Sequence, residues 1–239
     1  MRLDKLLSHS GFGTRKEVKN LLKKKVVTVN GAFQKDGKFQ INPETDLIKV
    51  VGETVQYQEF VYFMLHKPQG VVSATTDNLH ETVIDLLQPQ DQVQEPFPVG
   101  RLDIDTEGLL LLTNDGALAH ELLSPKKHVN KVYQAEIQGV VTAKDVATFL
   151  KGVTLDDGYH CKPAKLIVQE IDETEGTSKI EVTIQEGKFH QVKRMFESVD
   201  KEVTYLKRLS MGPLYLDADL SLGEYRVLTE DELESLKNR

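Results

Sequence analysis

Four polar side chains with catalytic potential lie in one short segment, directly before a run of leucines. They belong to Arg101, Asp103, Asp105 and Thr106. A carboxylate can act as a nucleophile or a base, and a nearby cation favours its ionised form. The apolar residues 109–112, bounded by Gly108 and the turn sequence at 114–116, are typical of a strand buried on both faces. The polar residues are therefore expected at the mouth of a core strand, beside a cleft.

Two further groups of residues are candidates for the same site. One follows a predicted strand and opens a helix at about residue 190, where it carries Lys188, Gln191, Lys193 and Arg194. Cations at a helix N-terminus oppose the helix dipole, so they need a carboxylate or an RNA phosphate as partner. The other is Tyr133 in a predicted strand over residues 131–137, and its position alone is typical of a core residue.

The two aspartates could instead be interpreted as the acid and base of a hydrolase. That alternative is disfavoured, because a loop leaves the separation of Asp103 and Asp105 unconstrained.

The distribution of charge favours a nucleic-acid partner despite the net charge of −7. Residues 1–40 hold ten Lys and Arg against three Asp and Glu, whereas the remaining 199 residues hold 20 basic and 34 acidic residues. A basic N-terminal segment on an acidic chain is the asymmetry expected when one domain supplies the phosphate contacts. We expect RNA contacts from Arg2, Arg15, Lys16, Lys19 and Lys23.

The basic segment also has a recognisable order of elements. Two short helices are predicted, the second capped by Thr14 and Glu17 in a capping box, and a strand over residues 26–29 ends at the turn Asn30–Gly31. This order resembles the S4-like RNA-binding domain, which recognises RNA by shape and backbone. We predict an S4-like domain over residues 1–56, a linker over 57–60 and a catalytic domain over 61–239.

The rest of the chain mixes strands and helices without a βαβ rhythm. The patterns predict a strand from residue 60, a returning strand over residues 71–74 and a short helix over 82–87. Further helices are predicted at 116–123, 142–151 and 190–199, between strands that short turns connect. The predicted fold class is α+β, with a mostly antiparallel mixed sheet and flanking helices.

Several motifs together resemble the RsuA-type branch of the pseudouridine synthases. They are the run G-R-L-D-I-D-T-E-G-L-L-L-L-T-N-D-G at 100–116, K-V-Y at 131–133 and E-G-K-F-H-Q-V-K-R-M-F at 186–196, with further similarity at 63–70, 162–164, 216–220 and 223–226. The resemblance extends from the basic segment to the C-terminal helix. One departure, M-G-P at 211–213, is closer to the large-subunit synthases of this branch.

The resemblance implies a role for each candidate. Asp103 is the catalytic aspartate, Lys193 pairs with it, and the ring of Tyr133 stacks on the target uracil. Arg101 holds the RNA or splays the base outward. RNA-binding roles extend to Thr106, Gln191 and Arg194, and Thr106 also braces the loop with Asp105.

The implied reaction converts one uridine of 16S rRNA, uridine 516 by resemblance, to pseudouridine. The alternatives are a 23S rRNA synthase of the same branch and a non-catalytic RNA-binding assembly factor. The reaction needs no cofactor and no metal, and no P-loop, Rossmann or Cys/His metal motif is present in the sequence. One cysteine and the lack of a signal peptide or apolar span predict a cytoplasmic protein that needs no membrane. We expect a monomer that acts on a small-subunit assembly intermediate.

Overall fold

A computed structural model describes residues 1–238 of the chain, which form two compact units. Unit 1 comprises residues 1–61 together with 87–96, and unit 2 comprises residues 62–86 and the chain from residue 97. The predicted domain limits at residues 56 and 60 stay a prediction.

Unit 1 consists of two helices and a small antiparallel sheet. The elements are α1 (Leu3–His9), α2 (Arg15–Lys23), β1 (Val27–Val29), β2 (Ala32–Phe33), β3 (Ile48–Val50) and β4 (Glu53–Thr54), with the sheet order β2-β1-β3-β4. The predicted capping box is confirmed, because the Thr14 hydroxyl accepts from Glu17 N and Glu17 Oε2 accepts from Thr14 N. Asn30 and Gly31, with φ of 51° and 84°, form the hairpin turn between β1 and β2. A short helix α3 (Pro89–Gln92) belongs to the same unit.

The core of unit 1 explains which face of α2 is left to solvent. Val18 and Leu22 of this helix are fully buried and pack with leucines of α1 and with β1 and β3. The exposed part of this helix carries the cations Arg15, Lys16, Lys19 and Lys23. Arg2 instead forms an ion pair with the buried Asp4, at 2.5 Å.

Unit 2 is built on one large sheet with helices beside it. The strands are β5 (Tyr62–Lys67), β6 (Phe97–Pro98), β7 (Glu107–Thr113), β8 (Lys131–Gln138), β9 (Lys165–Asp172), β10 (Thr177–Ile184), β11 (Glu202–Met211), β12 (Leu214–Tyr215) and β13 (Tyr225–Val227). The helices are α4 (Gly116–Leu123), α5 (Ala143–Lys151), α6 (Gln191–Glu197) and α7 (Glu230–Lys237), with a 3-10 helix at Pro125–Lys127.

Within residues 1–238, the sheet of unit 2 runs β13-β5-β7-β11-β8-β10-β9, with β12 on β11 and β6 on β7. The pair β7–β11 is parallel, and the other strand pairs described are antiparallel. The predicted α+β class with a mostly antiparallel sheet is confirmed. Over the same residues, no helix combines the length and the apolar character that crossing a membrane requires.

The leucine run forms the central strand β7, as predicted. Leu109 to Leu112 are all fully buried, and Leu109 and Leu111 pack against Met64 of β5 and Leu118 and Leu122 of α4. Asp115 caps α4, with Oδ1 accepting from the backbone N of Ala117 and Leu118. The strand is therefore fixed along its whole length, and the polar segment 101–106 leads directly into its first residue.

Gly108 permits a very close approach between β7 and β11. It pairs with Arg208, and a Cβ added at Gly108 would lie 2.2 Å from the Arg208 carbonyl oxygen. Its φ of 110° is also one that residues with a side chain rarely adopt. The parallel contact that joins β7 to β11 therefore requires glycine at this position.

Two local predictions were wrong. Residues 71–74 do not form a strand beside β5, because both edges of β5 are occupied by β7 and β13. The Ser73 hydroxyl instead bonds the backbone of Leu102. Residues 82–87 form turns rather than a helix, since Gln88 precedes Pro89 and is extended (ψ 147°), which ends helical geometry at that point.

We predict that Gly108→Ala lowers the free energy of unfolding by about 4 kcal/mol or more, because steric clash is added to backbone strain. Urea denaturation of the purified protein measures this value. Gly158→Ala is the control, because Gly158 has a φ of 82° but open space around its missing Cβ. It should cost about 1 kcal/mol from strain alone. Equal losses in the two variants would contradict the steric argument.

Candidate active site

A buried lysine holds the loop that carries Asp103. Lys67, at the end of β5, is fully buried, and its Nζ donates to the carbonyl oxygens of Pro68, Asp103 and Thr106, each at 3.0 Å. These three acceptors use all the hydrogens of one ammonium group. Lys67 therefore fixes the loop through its backbone, and the Asp103 carboxylate takes no part in these hydrogen bonds.

The protonation of Lys67 reflects two opposing effects. Burial lowers its pKa to about 8, and the negative charges of Asp103, Asp105 and Glu107 oppose that shift. A pKa of about 8 leaves the amine protonated at neutral pH, so all three hydrogen bonds can form.

The Asp103 carboxylate lies between a lysine and a histidine of the segment that opens α6. Lys193 Nζ is 3.7 Å from Asp103 Oδ2, and His190 Nε2 is 3.6 Å from Oδ1. The Asp103 side chain is 27% exposed, so it is partly withdrawn from water. His190 adopts a left-handed conformation, with φ 47°, just before the helix begins. This conformation marks the point at which the chain turns into α6 beside the carboxylate.

Lys193 contacts two carboxylates rather than one. It lies nearer to Asp105, at 2.6 Å from Oδ1 and 2.7 Å from Oδ2, than to Asp103. Burial opposes the ionisation of Asp105, but the hydrogen bonds and charge of Lys193 outweigh it and hold the Asp105 pKa below its usual value. Asp105 thus positions the Lys193 amine beside Asp103 and keeps the pair close to the loop.

The remaining predicted residues of this segment are engaged within the protein. Gln191 is buried and joins Glu186 to the backbone N of Lys188. Arg194 binds Asp156 and, at 2.7 Å, Asp157. Both side chains therefore support the segment 186–193 through contacts within the protein, and their roles in RNA binding stay a prediction. Thr106 is also buried, with its carbonyl bound to Lys67.

A cleft of about 660 Å³ opens beside these residues in unit 2. Its wall includes Arg101, Asp103, Lys131, Tyr133, His190 and Arg208. Tyr133 is 7% exposed and lies on the buried face of β8, as predicted, whereas Arg101 is exposed. The structure therefore brings Asp103, Tyr133 and Lys193 of the three separate motifs to one place in unit 2.

Four residues of the site were not predicted from the sequence. Lys67 precedes a turn and has the pattern of a surface lysine, and His190 had no assigned role. Lys131 and Arg208 are buried cations, which sequence patterns do not anticipate. Over residues 1–238, no group of three or more His, Cys, Asp and Glu side chains could hold a metal ion.

Comparison with known families and relatives identifies the chain. Residues 61–198 match the RNA pseudouridylate synthase family, and residues 1–47 match the S4 domain. The chain belongs to the RNA pseudouridylate synthase family. It is an isomerase that acts on RNA, built as an S4 domain followed by a synthase domain of the RsuA type, so this prediction is confirmed.

The similarity extends over the full chain in several relatives. The chain is 53% identical to an uncharacterized RNA pseudouridine synthase of Bacillus subtilis, covering 99% of this chain and 98% of the relative. It is 40% identical to ribosomal small subunit pseudouridine synthase A of Vibrio cholerae, covering 99% of both, and 38% identical to ribosomal large subunit pseudouridine synthase B of Bacillus subtilis, covering 99% and 95%. A crystal structure of a pseudouridylate synthase is similar with a TM-score of 0.68, 36% identity and 99% coverage of both chains.

We predict that Lys67→Met destabilises the protein by about 2–4 kcal/mol, since it leaves buried carbonyl groups without their donor. The rate of pseudouridine formation at saturating RNA should fall at least tenfold, because the loop carrying Asp103 is no longer held through its backbone. Urea denaturation and single-turnover kinetics measure the two effects. Lys144→Met, on the exposed face of α5, is the control and should change neither.

Proposed function

We propose that this chain converts one specific uridine of rRNA to pseudouridine, with Asp103 as the catalytic aspartate. The observation that carries the proposal is the position of the Asp103 carboxylate, between Lys193 at 3.7 Å and His190 at 3.6 Å and at the wall of a cleft large enough for a nucleotide. A carboxylate can attack the ribose as a nucleophile or remove a proton as a base, and Lys193 places a positive charge beside it.

The other residues around the cleft supply what the reaction needs beyond the carboxylate. A uridine must leave its stack before it can be modified, and the exposed Arg101 is positioned to hold the RNA or splay the base outward. The ring of Tyr133 supports the base by stacking, and its hydroxyl is a candidate for proton transfer at carbon 5. Lys193 pairs with Asp103 and is itself held by Asp105.

The reaction rearranges one nucleoside and transfers no group to another molecule. The bond between the ribose C1′ and N1 breaks, the uracil turns, and C5 joins C1′ instead. Asp103 acts either as a nucleophile at C1′ or as a base at C2′ that yields a glycal, and both routes need the same ionised carboxylate. Oxidation and phosphoryl transfer play no part, so the proposed mechanism requires no cofactor.

For the target we propose 16S rRNA, at the uridine equivalent to 516, within a small-subunit assembly intermediate. The similarity to small-subunit synthase A of Vibrio cholerae, at 40% identity, supports this choice. The second candidate is a 23S rRNA uridine, supported by the 38% identity to large-subunit synthase B of Bacillus subtilis and by the M-G-P sequence at 211–213. We assign the enzyme to the cytoplasm, as a monomer that needs no protein partner for the chemistry.

Unit 1 is proposed to dock the RNA through the exposed face of α2. This face presents Arg15, Lys16, Lys19 and Lys23 to solvent, and none of them forms an ion pair with another described residue. Unpaired, exposed cations on one helix face suit RNA phosphates, which are contacted without regard to base sequence. Arg2 is paired with Asp4, so its phosphate contact would require exchange of partners.

The test is incubation of the enzyme with protein-free 16S rRNA, 23S rRNA and 30S assembly intermediates, followed by mapping of pseudouridine through reverse-transcription stops after carbodiimide treatment. We expect a single new stop in 16S rRNA. A stop in 23S rRNA alone would assign the second candidate.

Asp103→Asn should lose at least about 10⁴-fold of the single-turnover rate, because an amide can neither attack nor act as a base. Folding and RNA affinity should remain nearly unchanged, and Asp105→Asn should retain part of the activity. Comparable losses in both variants would move the catalytic role away from Asp103. RNA binding with no pseudouridine in any RNA would favour the non-catalytic assembly factor.

We predict that replacing Lys16, Lys19 and Lys23 together by Gln weakens RNA binding and flattens its salt dependence. The slope of log K against log salt should fall by about 0.7 to 0.9 for each phosphate that the variant no longer neutralises. Filter binding between 50 and 300 mM salt measures it. The matched control replaces three exposed lysines of unit 2, Lys144, Lys151 and Lys165, which changes the net charge equally and should leave the slope nearly unchanged.

A further inference from the structure

Two buried cations lie beside Tyr133 at the cleft. Lys131 is 7% exposed and Arg208 is 2% exposed, and both belong to the wall of the cleft. Lys131 lies two residues before Tyr133 on the same buried face of β8, and Arg208 is the cross-strand partner of Tyr133 on β11. The sheet register therefore fixes both cations next to the ring that is proposed to stack on the uracil.

Their charges have little internal compensation. The Lys131 amine contacts the Val129 carbonyl oxygen at 3.4 Å, a weak interaction. Arg208 Nε donates to the Leu109 carbonyl at 2.8 Å, and its buried Nη2 has no hydrogen-bond partner within the described residues. Neither cation forms an ion pair with a carboxylate of the described chain.

An unpaired buried cation is unfavourable in a folded protein. Burial and the charge of Arg208 lower the pKa of Lys131 to about 8, which leaves the amine protonated at neutral pH. Two such charges side by side indicate a site that receives negative charge from a ligand or from a reaction step.

The proposed reaction creates negative charge at this position. When the C1′–N1 bond breaks, its electron pair stays with the uracil, and the detached base is an anion with charge spread over N1 and its two carbonyl oxygens. In the first route the Asp103 carboxylate forms a new bond to C1′. In the second route Asp103 removes the C2′ proton, and the electron pair of that C–H bond forms a C1′–C2′ double bond. When C5 then bonds to C1′, Asp103 is released from C1′ in the first route, and it returns the proton to C2′ in the second. In both routes C5 afterwards loses its proton and N1 gains one. Atoms and charge balance, and the anion exists only in between.

We propose that Lys131 and Arg208 form a cationic floor that stabilises the uracil anion while the base is detached from the ribose. This inference rests on the proposed function and adds two residues to it. A preorganised charge inside a cleft is effective because it needs no reorganisation when the negative charge develops. It also explains why the base stays in the cleft and can rejoin through C5.

The test compares the binding of two free bases to the full-length protein at neutral pH by ligand-observed NMR titration. 5-Nitrouracil is an anion at this pH, and uracil is neutral. We expect the wild type to bind 5-nitrouracil at least tenfold more tightly than uracil. Lys131→Met should reduce this ratio to nearly one, Lys131→Arg should keep it, and Asp103→Asn should keep or increase it.

Single-turnover kinetics with rRNA provide the second measurement. Lys131→Met should lower the rate at saturating RNA by about 10²–10³-fold, and Lys131→Arg should restore much of it. Inorganic phosphate is the competing probe. If phosphate displaces neither base, the cleft selects the uracil anion. If phosphate binds at Lys131 and 5-nitrouracil does not, the two cations hold an RNA phosphate and the proposal is wrong.

The wild-type ratio tests the proposal even if a variant fails to fold. Equal binding of the two bases, or no detectable binding of 5-nitrouracil, overturns it, as does an unchanged ratio in folded Lys131→Met. Base binding does not require turnover, so the two proposals fail separately. A preference for the anion in a protein that modifies no RNA would reject only the proposed function, and pseudouridine formation without that preference would reject only the cationic floor.

Discussion

The close approach of β7 and β11 at Gly108 is the constraint on which the site depends. Because Gly108 has no side chain, the backbone of Arg208 reaches β7 directly, and the two strands pair in parallel at this point. On its other side Gly108 pairs with Lys67 of β5, whose amine holds the Asp103 loop. One row across the sheet therefore sets the position of the loop that carries Asp103 and of one wall of the cleft.

This row and the neighbouring end of β8 concentrate positive charge in a protein whose net charge is −7. Lys67 and Arg208 are almost completely buried, and Lys131 is nearly so. Their hydrogen bonding differs. Lys67 donates to three backbone carbonyl groups, whereas Lys131 makes one long contact and Arg208 has a nitrogen without a hydrogen-bond partner. A buried lysine with three carbonyl partners stabilises a loop, and buried cations without such partners indicate a function. The distinction rests on hydrogen bonding rather than on burial.

The sequence predicted the elements whose signal is local. The leucine run, the Thr14 capping box and the turn at Asn30–Gly31 each depend on neighbouring residues, and the structure confirms all three. The prediction of a strand at 71–74 was wrong, because β13, from the far end of the chain, occupies the edge of β5 at which that strand would pair. Lys67 binds the backbone of the Asp103 loop, and Lys193 binds two aspartates. Both arrangements depend on contacts between residues distant in sequence, which periodicity cannot reveal.

The parallel pairing of β7 with β11 also has a consequence for how the chain is made. All residues of unit 1 are synthesised before β11, and the α2 face that carries the cations needs only contacts within the first 61 residues. The cleft, in contrast, lacks Arg208 until β11 emerges, and β5 lacks one neighbour until β13 follows. Such long-range pairings form slowly and late. The nascent protein can therefore fold the cationic face of α2 well before the cleft of unit 2 is complete.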